Sequence, residues 1–214
     1  MNKRLHFFGC HFIFEINCNR NTFCASIYSD MCNEKEKILL QRILNGETNL
    51  FSHFVDRYSK LIFSLIVRVV ASNEDAEELT QDVFLKAFQK LHTFNGKCSF
   101  STWLYRIAHN SAISATRKKK FVFLPKEEFQ IANVPDSAVD ELLNREDDEV
   151  LLQQLENALC KLNTEDRLLI TLFYYQDKSV SEISGILEIT VENVKVKLYR
   201  VRKRLYILIN KTKL

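Results

Sequence analysis

The residues with the clearest potential for chemistry lie near the carboxyl end of the sequence. Between positions 191 and 208 apolar side chains recur every three or four residues, which predicts a helix with one apolar seam. The other faces carry six cations, opposed only by Glu192: Lys195, Lys197, Arg200, Arg202, Lys203 and Arg204. This pattern is typical of a helix that enters the major groove of DNA, with early residues at base edges and later cations at phosphates. The alternative is a basic face that is merely solvated.

A second group of residues, around positions 94–120, combines aromatic rings with cations. It contains Phe94, Phe100, Trp103 and Tyr105 together with Arg106, Asn110 and four consecutive cations, Arg117, Lys118, Lys119 and Lys120. Unstacked nucleic-acid bases bind to such groups because aromatic faces stack on the bases and cations neutralise the phosphates. Aromatic residues at helical spacing are usually core residues, so packing alone is the alternative interpretation.

The sequence lacks the usual signatures of catalysis and of metal binding. It has no glycine-rich phosphate loop, no HExxH motif and no GxSxG motif, and its five histidines lack metal-ligand spacing. The six cysteines form no CxxC pair, and four of them lie within the first 32 residues. We therefore expect reduced thiols, no cofactor, no metal site and no enzymatic activity.

The elements that must position these residues are predicted to be helices. Glycine and proline number only four and two in 214 residues, too few for the turns of an all-β fold. Apolar spacing predicts helices over residues 34–44, about 47–71, about 73–91, 100–120, about 149–161 and from 164 onward. Ser179 and Glu182 fit a capping box and Thr190 fits a second N-cap, which gives residues 179–210 helix-turn-helix proportions. In the first two helices the expected buried stripes are Ile38, Leu39, Ile43 and Leu44, and Leu50, Phe54, Tyr58, Leu61, Leu65 and Val69.

Composition divides this all-α chain into four parts. Residues 1–30 are rich in Phe and Cys, so we interpret them as an atypical extension and expect Met31 to be the natural start. Residues 121–149 hold both prolines and nine acidic residues against two basic ones, which is typical of a linker. We predict helical domains over 31–120 and 149–214, joined by an acidic linker over 121–148. The most apolar run, residues 61–70, is too short to span a bilayer, so we expect a cytoplasmic protein without membrane insertion.

Together these segments resemble a known family of transcription factors. DAEELTQDVFLKAF at 75–88 is similar to region 2.2 of the bacterial sigma-70 family, in its extracytoplasmic-function (ECF, group IV) subfamily. FSTWLYRIAHNSAISATRKKK at 100–120 resembles regions 2.3 and 2.4, and residues 159–205 resemble region 4. The resemblance covers residues 34–210 and implies two small helical DNA-binding domains on a flexible linker. It also implies a function, which is to bind core RNA polymerase, recognise the −10 and −35 promoter elements, melt the promoter and initiate transcription.

The resemblance assigns residues of the first domain to two partners. Four positions are expected to dock on the clamp helices of the polymerase β′ subunit: Glu78, Gln81, Asp82 and Lys86. The positions expected at the −10 element and in melting are Phe94, Ile107 and Asn110 around a flipped base, Trp103 and Arg106 near the melting fork, and Arg117, Lys118, Lys119 and Lys120 on phosphates.

The resemblance also assigns residues of the second domain. The −35 element is expected to contact Lys195, Val196, Lys197, Tyr199, Arg200, Arg202 and Arg204. Val196 departs from the family pattern, in which a small polar residue is frequent, so the resemblance does not assign it a base preference. The implied partners are core RNA polymerase through its β′ clamp helices and β flap, promoter DNA, and an anti-sigma factor.

Two other functions fit parts of the sequence. A helix-turn-helix regulator that binds duplex DNA as a dimer without polymerase would use the basic helix, but it leaves the aromatic cluster and the acidic linker without a role. A thiol or metal sensor would use Cys10, Cys18, Cys24 and His11 in the first 30 residues.

Overall fold

The computed structural model describes residues 34–70, 72–119 and 149–211 and gives an all-helical architecture in this part of the chain. The first group of helices comprises α1 (34–44), α2 (Ser52–Ile66), α3 (Asn73–Gln89) and α4 (Phe100–Lys119). Single 3-10 turns precede α2 and follow α3, at Thr48–Phe51 and Leu91–Thr93. The extension, the linker and the cysteines at positions 10, 18, 24 and 32 lie outside the described residues.

The second group comprises α5 (Glu149–Lys161), α6 (Thr164–Ile170), α7 (Val180–Leu187) and α8 (Val191–Lys211). A π-helical turn, Thr171–Tyr175, follows α6 directly. The predicted helices at 34–44 and from 149 onward are therefore confirmed. The helix predicted over 47–71 is shorter, because it ends at Ile66 and the chain turns through residues 67–70.

Polar side chains define where the helices begin. The Ser72 hydroxyl accepts a hydrogen bond from the Asp75 amide at 3.1 Å, and the Ser99 hydroxyl accepts one from the Thr102 amide at 3.1 Å. Asn163 Oδ1 does the same for the Asp166 amide at 2.8 Å. Each cap satisfies an amide that has no partner in the first helical turn, so these short polar side chains fix the start of α3, α4 and α6.

Each group of helices has an apolar core. In the first group the stripes of α2 and α3 pack on one face of α4, and the fully buried residues include Phe54, Ile62, Leu65, Ala76, Val83, Leu104 and Ala108. In the second group the seam of α8 packs on α5, α6 and α7, and the buried residues include Leu168, Leu169, Leu172, Ile183, Ile186, Val194, Leu198 and Val201. Burial of each large side chain contributes about 1.5–3 kcal/mol, which is the main force holding the helices in place.

Three of the residues predicted to be buried are exposed. Ile38 and Leu44 of α1 are about half exposed, and so is Leu61 of α2. The core also takes Leu40 and Ile62, whereas Ile43, Phe54, Tyr58, Leu65 and Val69 are buried as predicted. The reason for the differences is that adjacent apolar residues cannot be distinguished by spacing alone, and tertiary packing selects among them.

The two groups of helices pack against each other, mainly through α4 and α7. Arg167 also donates to the backbone carbonyl of Arg68 at 3.3 Å, which joins α6 to the end of α2. In the part of the chain that the structure describes, none of the helices has the length and hydrophobicity needed to span a bilayer.

Candidate nucleic-acid and polymerase interfaces

The surface of α8 carries the first candidate site. Its seam residues Val194, Leu198, Val201, Leu205 and Leu208 are all buried against the rest of the second group. The opposite face of its first half is exposed and consists of Lys195, Val196, Lys197, Tyr199 and Arg200. The buried seam therefore holds an exposed, mostly cationic face outward, as the sequence predicts for a helix that binds in the major groove.

Caps at the starts of α7 and α8 define the helix-turn-helix unit that presents α8. Ser179 and Glu182 form the predicted capping box, with the Glu182 amide donating to the Ser179 hydroxyl at 3.1 Å and the Ser179 amide donating to Glu182 Oε2 at 2.9 Å. Burial by itself would raise the pKa of Glu182, but these hydrogen bonds and nearby Lys178 outweigh it and lower that pKa. Glu188 then takes the left-handed conformation, with φ of 56°, and Thr190 caps α8 by accepting from the Asn193 amide at 3.3 Å.

Three cations of α8 do not lie on the exposed face. Lys203 was expected on the solvent side, but it is buried and only 6% exposed, with its ammonium group 4.4 Å from the Tyr199 ring. The Arg202 guanidinium lies near the rings of both Phe173 and Tyr174, at 5.6 and 5.7 Å from their centroids. These positions turn inward because a long helix that packs on several neighbours has a wider buried face than its apolar seam alone indicates.

Arg204 also turns inward. Its guanidinium group donates to the carboxylate of Asp166, and the Asp166 residue as a whole is only 8% exposed. Asp166 also accepts a hydrogen bond from the Asn163 side chain at 2.9 Å. Arg204 therefore links α8 to the start of α6, and the cations that remain on the exposed face are Lys195, Lys197 and Arg200.

The aromatic cluster is partly core and partly surface. Phe100 and Tyr105 are buried, so for these two residues packing is the correct interpretation. Phe94 and Trp103 are half-buried, with ring centroids 5.4 Å apart. Ile107 and Asn110 follow Trp103 at +4 and +7, so helical spacing places them on the same side of α4.

The cations of α4 flank this aromatic pair. Arg106 is half-buried and forms an ion pair with Glu188 at 2.7 Å, whereas Arg117 is exposed and lies 3.8 Å from Glu165. Lys118 and Lys119 belong to the last turn of α4, but their side chains lie outside what the structure describes, and Lys120 lies beyond the described residues. Both Glu188 and Glu165 come from the second group of helices, which sequence reasoning did not anticipate.

The surface of α3 is a third candidate site. Glu78, Gln81 and Asp82 are exposed on its outer face, as expected of residues that dock on a partner. Lys86 faces inward instead, because its ammonium group donates to the Ser111 hydroxyl of α4 at 3.3 Å. Sequence reasoning missed Leu85 and Phe88, which are 56% and 38% exposed and give this face an apolar centre.

Comparison with known proteins identifies the family. Family models for sigma-70 region 2 and for sigma-70 region 4 match residues 54–122 and 152–205. The ECF RNA polymerase sigma factor SigW of Bacillus subtilis is 31% identical over 174 residues, which are 78% of this chain and 92% of that protein. The chain belongs to the ECF sigma-70 family. The ECF RNA polymerase sigma-E factor of Escherichia coli K12 is 30% identical over 178 residues, which cover 78% of this sigma factor and 91% of that one.

Solved structures confirm the fold of the sigma factor. A structure of CnrH in complex with the cytosolic domain of CnrY has a TM-score of 0.57 at 21% identity and covers 81% of this chain and 96% of that one. A co-crystal structure of the sigma factor RpoE with the anti-sigma factor NepR from Bartonella quintana has a TM-score of 0.54 at 22% identity, covering 75% and 96%. The chain is thus a transcription initiation factor, with two helical domains that match sigma regions 2 and 4 and direct core RNA polymerase to promoters.

Two titratable residues of the sigma factor are perturbed at the junction of its two domains. Burial raises the pKa of the Tyr105 hydroxyl, and the charge of Glu182 adds to this rise. Burial lowers the pKa of His109, although Asn110 and Glu165 oppose that shift and Lys197 adds to it. Both groups are therefore neutral near pH 7 and act by packing and hydrogen bonding rather than by charge.

Cys98 and Cys160 are free thiols. Among the described residues, no three His, Cys, Asp or Glu side chains are grouped as metal ligands would be. A thiol or metal sensor would depend on Cys10, Cys18, Cys24 and His11, which lie outside the described residues, so that alternative stays a prediction.

Proposed function

We propose that this sigma factor uses three separate faces for three tasks. The outer face of α3 binds core polymerase, the exposed side of α4 binds the melted −10 element, and the exposed face of α8 reads the −35 element. The observation that carries the proposal is the face of α8, where Lys195, Lys197 and Arg200 point away from a fully buried apolar seam. The proposed division of the chain is 31–120, 121–148 and 149–214, with the acidic linker between the two DNA-binding domains.

In the −35 complex, Lys195, Val196, Tyr199 and Arg200 meet base edges and Lys197 meets a phosphate. Val196 is 45% exposed and carries no hydrogen-bonding side chain, so it favours contact with an apolar group such as the thymine methyl. Arg202 and Arg204 support the helix from within instead, since their guanidinium groups face Phe173, Tyr174 and Asp166. Of the five cations that the resemblance assigns to the −35 element, only those on the exposed face keep that role: Lys195, Lys197 and Arg200.

In the −10 complex, Phe94 and Trp103 form the stacking surface and Asn110 supplies hydrogen bonds to a flipped base. Unstacking a base pair costs a few kcal/mol, and each base that stacks on an aromatic side chain recovers about 1–3 kcal/mol. One small domain therefore does not open a promoter alone. Polymerase contacts must supply the remaining free energy, which makes binding through α3 part of the melting mechanism.

The polymerase face of α3 has the composition of a protein interface. Leu85 and Phe88 form an exposed apolar centre, and Glu78, Gln81 and Asp82 form a polar border. We assign this face to the clamp helices of the β′ subunit, and we assign the second domain to the β flap. Lys86 has a positioning role, because its hydrogen bond to Ser111 joins α3 to α4.

Membership of the family supports three further parts of the proposal, which concern a protein partner, the location and catalysis. An anti-sigma factor is expected as a partner, as in the complex of RpoE with NepR. The protein is expected in the cytoplasm, where bacterial polymerase and promoter DNA are found. We also propose that it has no catalytic activity of its own, because a sigma factor acts by positioning polymerase.

The central experiment is a gel shift on promoter DNA with and without core polymerase, followed by transcription with the reconstituted holoenzyme. We expect specific, tight binding and transcript only when core enzyme is present. Tight specific binding by the free protein would instead favour a helix-turn-helix regulator that acts without polymerase. Stoichiometric metal in the purified protein would favour the sensor.

Asn110→Ala tests the flipped-base site. The variant should bind core polymerase normally but form fewer open complexes, because it loses the polar group that holds the extruded base. Permanganate footprinting measures the unpaired thymines directly. Asn49→Ala is the matched control, since Asn49 is an exposed asparagine on the 3-10 turn before α2. Normal permanganate reactivity in the Asn110 variant would remove this residue from the site.

A further inference from the structure

Lys203 of α8 contacts one of the residues proposed to read the −35 element. Its ammonium group lies 4.4 Å from the centroid of the Tyr199 ring. A cation within about 6 Å of an aromatic centroid is attracted by the negative face of the ring. The two side chains are therefore joined by a cation–π interaction.

The geometry of the helix explains this contact. Lys203 follows Tyr199 by four residues, so the two side chains lie on the same side of α8, one turn apart. Side chains of a helix lean toward its amino end, and the lysine chain is long enough to bring its ammonium group back to the ring. The contact between the two side chains therefore follows from the geometry of α8 itself.

Lys203 differs in burial from the cations of the exposed face. The residue is only 6% exposed, whereas Lys195, Lys197 and Arg200 are exposed. A cation that binds a phosphate must be within reach of the DNA backbone, so Lys203 is poorly placed for that role. Removal from water strengthens a cation–π interaction, because the cation then loses less hydration when it meets the ring. Burial thus favours contact with Tyr199 over contact with DNA.

Tyr199 is the residue that this contact serves. It is 45% exposed, and so is Val196, three positions earlier on the same helix. A half-exposed tyrosine turns about two side-chain torsions, and ordering such a side chain at an interface costs free energy on binding. A ring that is held before DNA arrives avoids this cost. It also meets the base edges in one orientation, which discrimination between bases requires.

We infer that Lys203 is a positioning residue for recognition of the −35 element, because its ammonium group holds the Tyr199 ring in the orientation that reads one base pair. Lys203 itself contacts neither a base nor a phosphate. This inference rests on the proposed function, since it requires that Tyr199 reads the −35 element. Charge alone would have assigned Lys203 to the DNA backbone, together with the exposed cations of the same helix.

The experiment compares holoenzymes in competition on −35 elements that are substituted one base pair at a time. Tyr199→Leu first identifies the base pair that Tyr199 reads, because the preference at that position is lost without the ring. Lys203→Met then removes the ammonium group and keeps an unbranched side chain. We expect Lys203→Met to lose about fivefold or more in preference at the same base pair, which corresponds to a cation–π contact of ordinary strength, and to leave the other positions unchanged.

Further variants separate the contact with the ring from a general effect on folding. Lys203→Arg keeps a cation beside the ring and should restore the preference. In the Tyr199→Leu background, Lys203→Met should have no further effect at that base pair, because the partner of the ammonium group is already absent. Additive effects of the two substitutions, or no recovery with arginine, would overturn the inference. If Lys203→Met is too unstable in urea to assemble with core polymerase, Lys203→Gln takes its place with the same expectations.

The salt dependence of promoter binding distinguishes positioning from phosphate contact. Lys197→Met is the matched comparison, because Lys197 lies on the exposed face and is assigned to a phosphate. That variant should weaken binding to all the promoters by a similar factor and reduce the slope of log K against log salt by about 1. Lys203→Met should leave the slope unchanged. Uniform weakening with a reduced slope would show that Lys203 contacts the DNA backbone, which contradicts a positioning role.

Failure of the proposed function gives a different result from failure of the inference. If Tyr199→Leu changes the preference at no position of the −35 element, Tyr199 does not read DNA, and the assignment of the α8 face is wrong. If Tyr199→Leu changes a preference and Lys203→Met does not, the −35 assignment stands and only the role of Lys203 is wrong.

Discussion

The inward position of Arg204 leads to a prediction that separates stability from DNA binding. Arg204→Met keeps the length of the side chain but removes the guanidinium group that pairs with Asp166. The Asp166 side chain is 11% exposed and that of Arg204 is 32% exposed. The substitution thus leaves a nearly buried carboxylate with the Asn163 amide as its remaining side-chain donor.

The size of the effect follows from this burial. Removing one partner of a fully buried ion pair costs about 3–5 kcal/mol. Because a third of the Arg204 side chain reaches water, solvent screens the pair, and we expect a loss of about 2–3 kcal/mol in the free energy of unfolding. Asp166→Asn should cost less, about 1 kcal/mol, because the unpaired guanidinium of Arg204 then turns toward solvent.

Urea denaturation followed by circular dichroism measures both variants and the double variant. The coupling energy from this cycle isolates the pair from other effects of each substitution. Arg200→Met is the matched control, because Arg200 lies on the exposed face of the same helix and should change stability by less than about 0.5 kcal/mol. Equal stability of the Arg204 and Arg200 variants would refute the structural role of Arg204. If Arg204→Met then weakened −35 binding at unchanged stability, the original assignment of Arg204 to DNA would be correct.

Three further predictions concern the exposed faces and the junction of the domains. Arg200→Ala should cost about 1–3 kcal/mol at one base pair of the −35 element, measured by holoenzyme competition on point-substituted promoters. Leu85→Glu should weaken binding to core polymerase by about 2 kcal/mol or more in a pull-down titration, because it places a charge in the apolar centre of the α3 face. Acidification from about pH 7.5 to 5.5 should destabilise the wild type more than His109→Gln in urea, because burial lowers the pKa of His109 and the unfolded chain takes up the proton first.

Each of these predictions has a contrary outcome. An Arg200 variant with unchanged base preference would show that this residue contacts only the backbone. Gln41→Glu, at an exposed position of α1, is the control for Leu85→Glu, and equal binding of both would place polymerase elsewhere. The pH effect has a defined direction: stability is complete above the ordinary pKa of 6.5 and falls below it, since the folded pKa is the lower one. An identical pH profile in the His109 variant would show that His109 does not cause the effect.

The sequence determined much of the local structure and the family. The N-caps at Ser72, Asn163 and Ser179 were predictable, because a short polar side chain before an apolar run satisfies free amides only at a helix start. The seam of α8 was equally clear, because its apolar residues follow helical spacing without interruption. The motifs at 75–88, 100–120 and 159–205 were sufficient to predict the family, which the comparisons confirmed.

Tertiary structure decided what local pattern left open. Ile38, Leu44 and Leu61 were predicted to be buried together with Ile43 and Leu65, but packing leaves these three residues exposed. Leu85 could be distinguished from a core residue only once α3 was packed against α2 and α4.

Ion pairs between distant residues are the clearest example of what the local sequence does not determine. Nothing in the local sequence around Arg106, Arg117 or Arg204 indicates Glu188, Glu165 or Asp166, because each partner lies at least 38 residues away along the chain. Electrostatic attraction depends on distance in space, and that distance is set by how α4, α6 and α8 pack. The sequence thus specified which helices form and which partners they serve, whereas only the folded chain decides which cations are available to DNA.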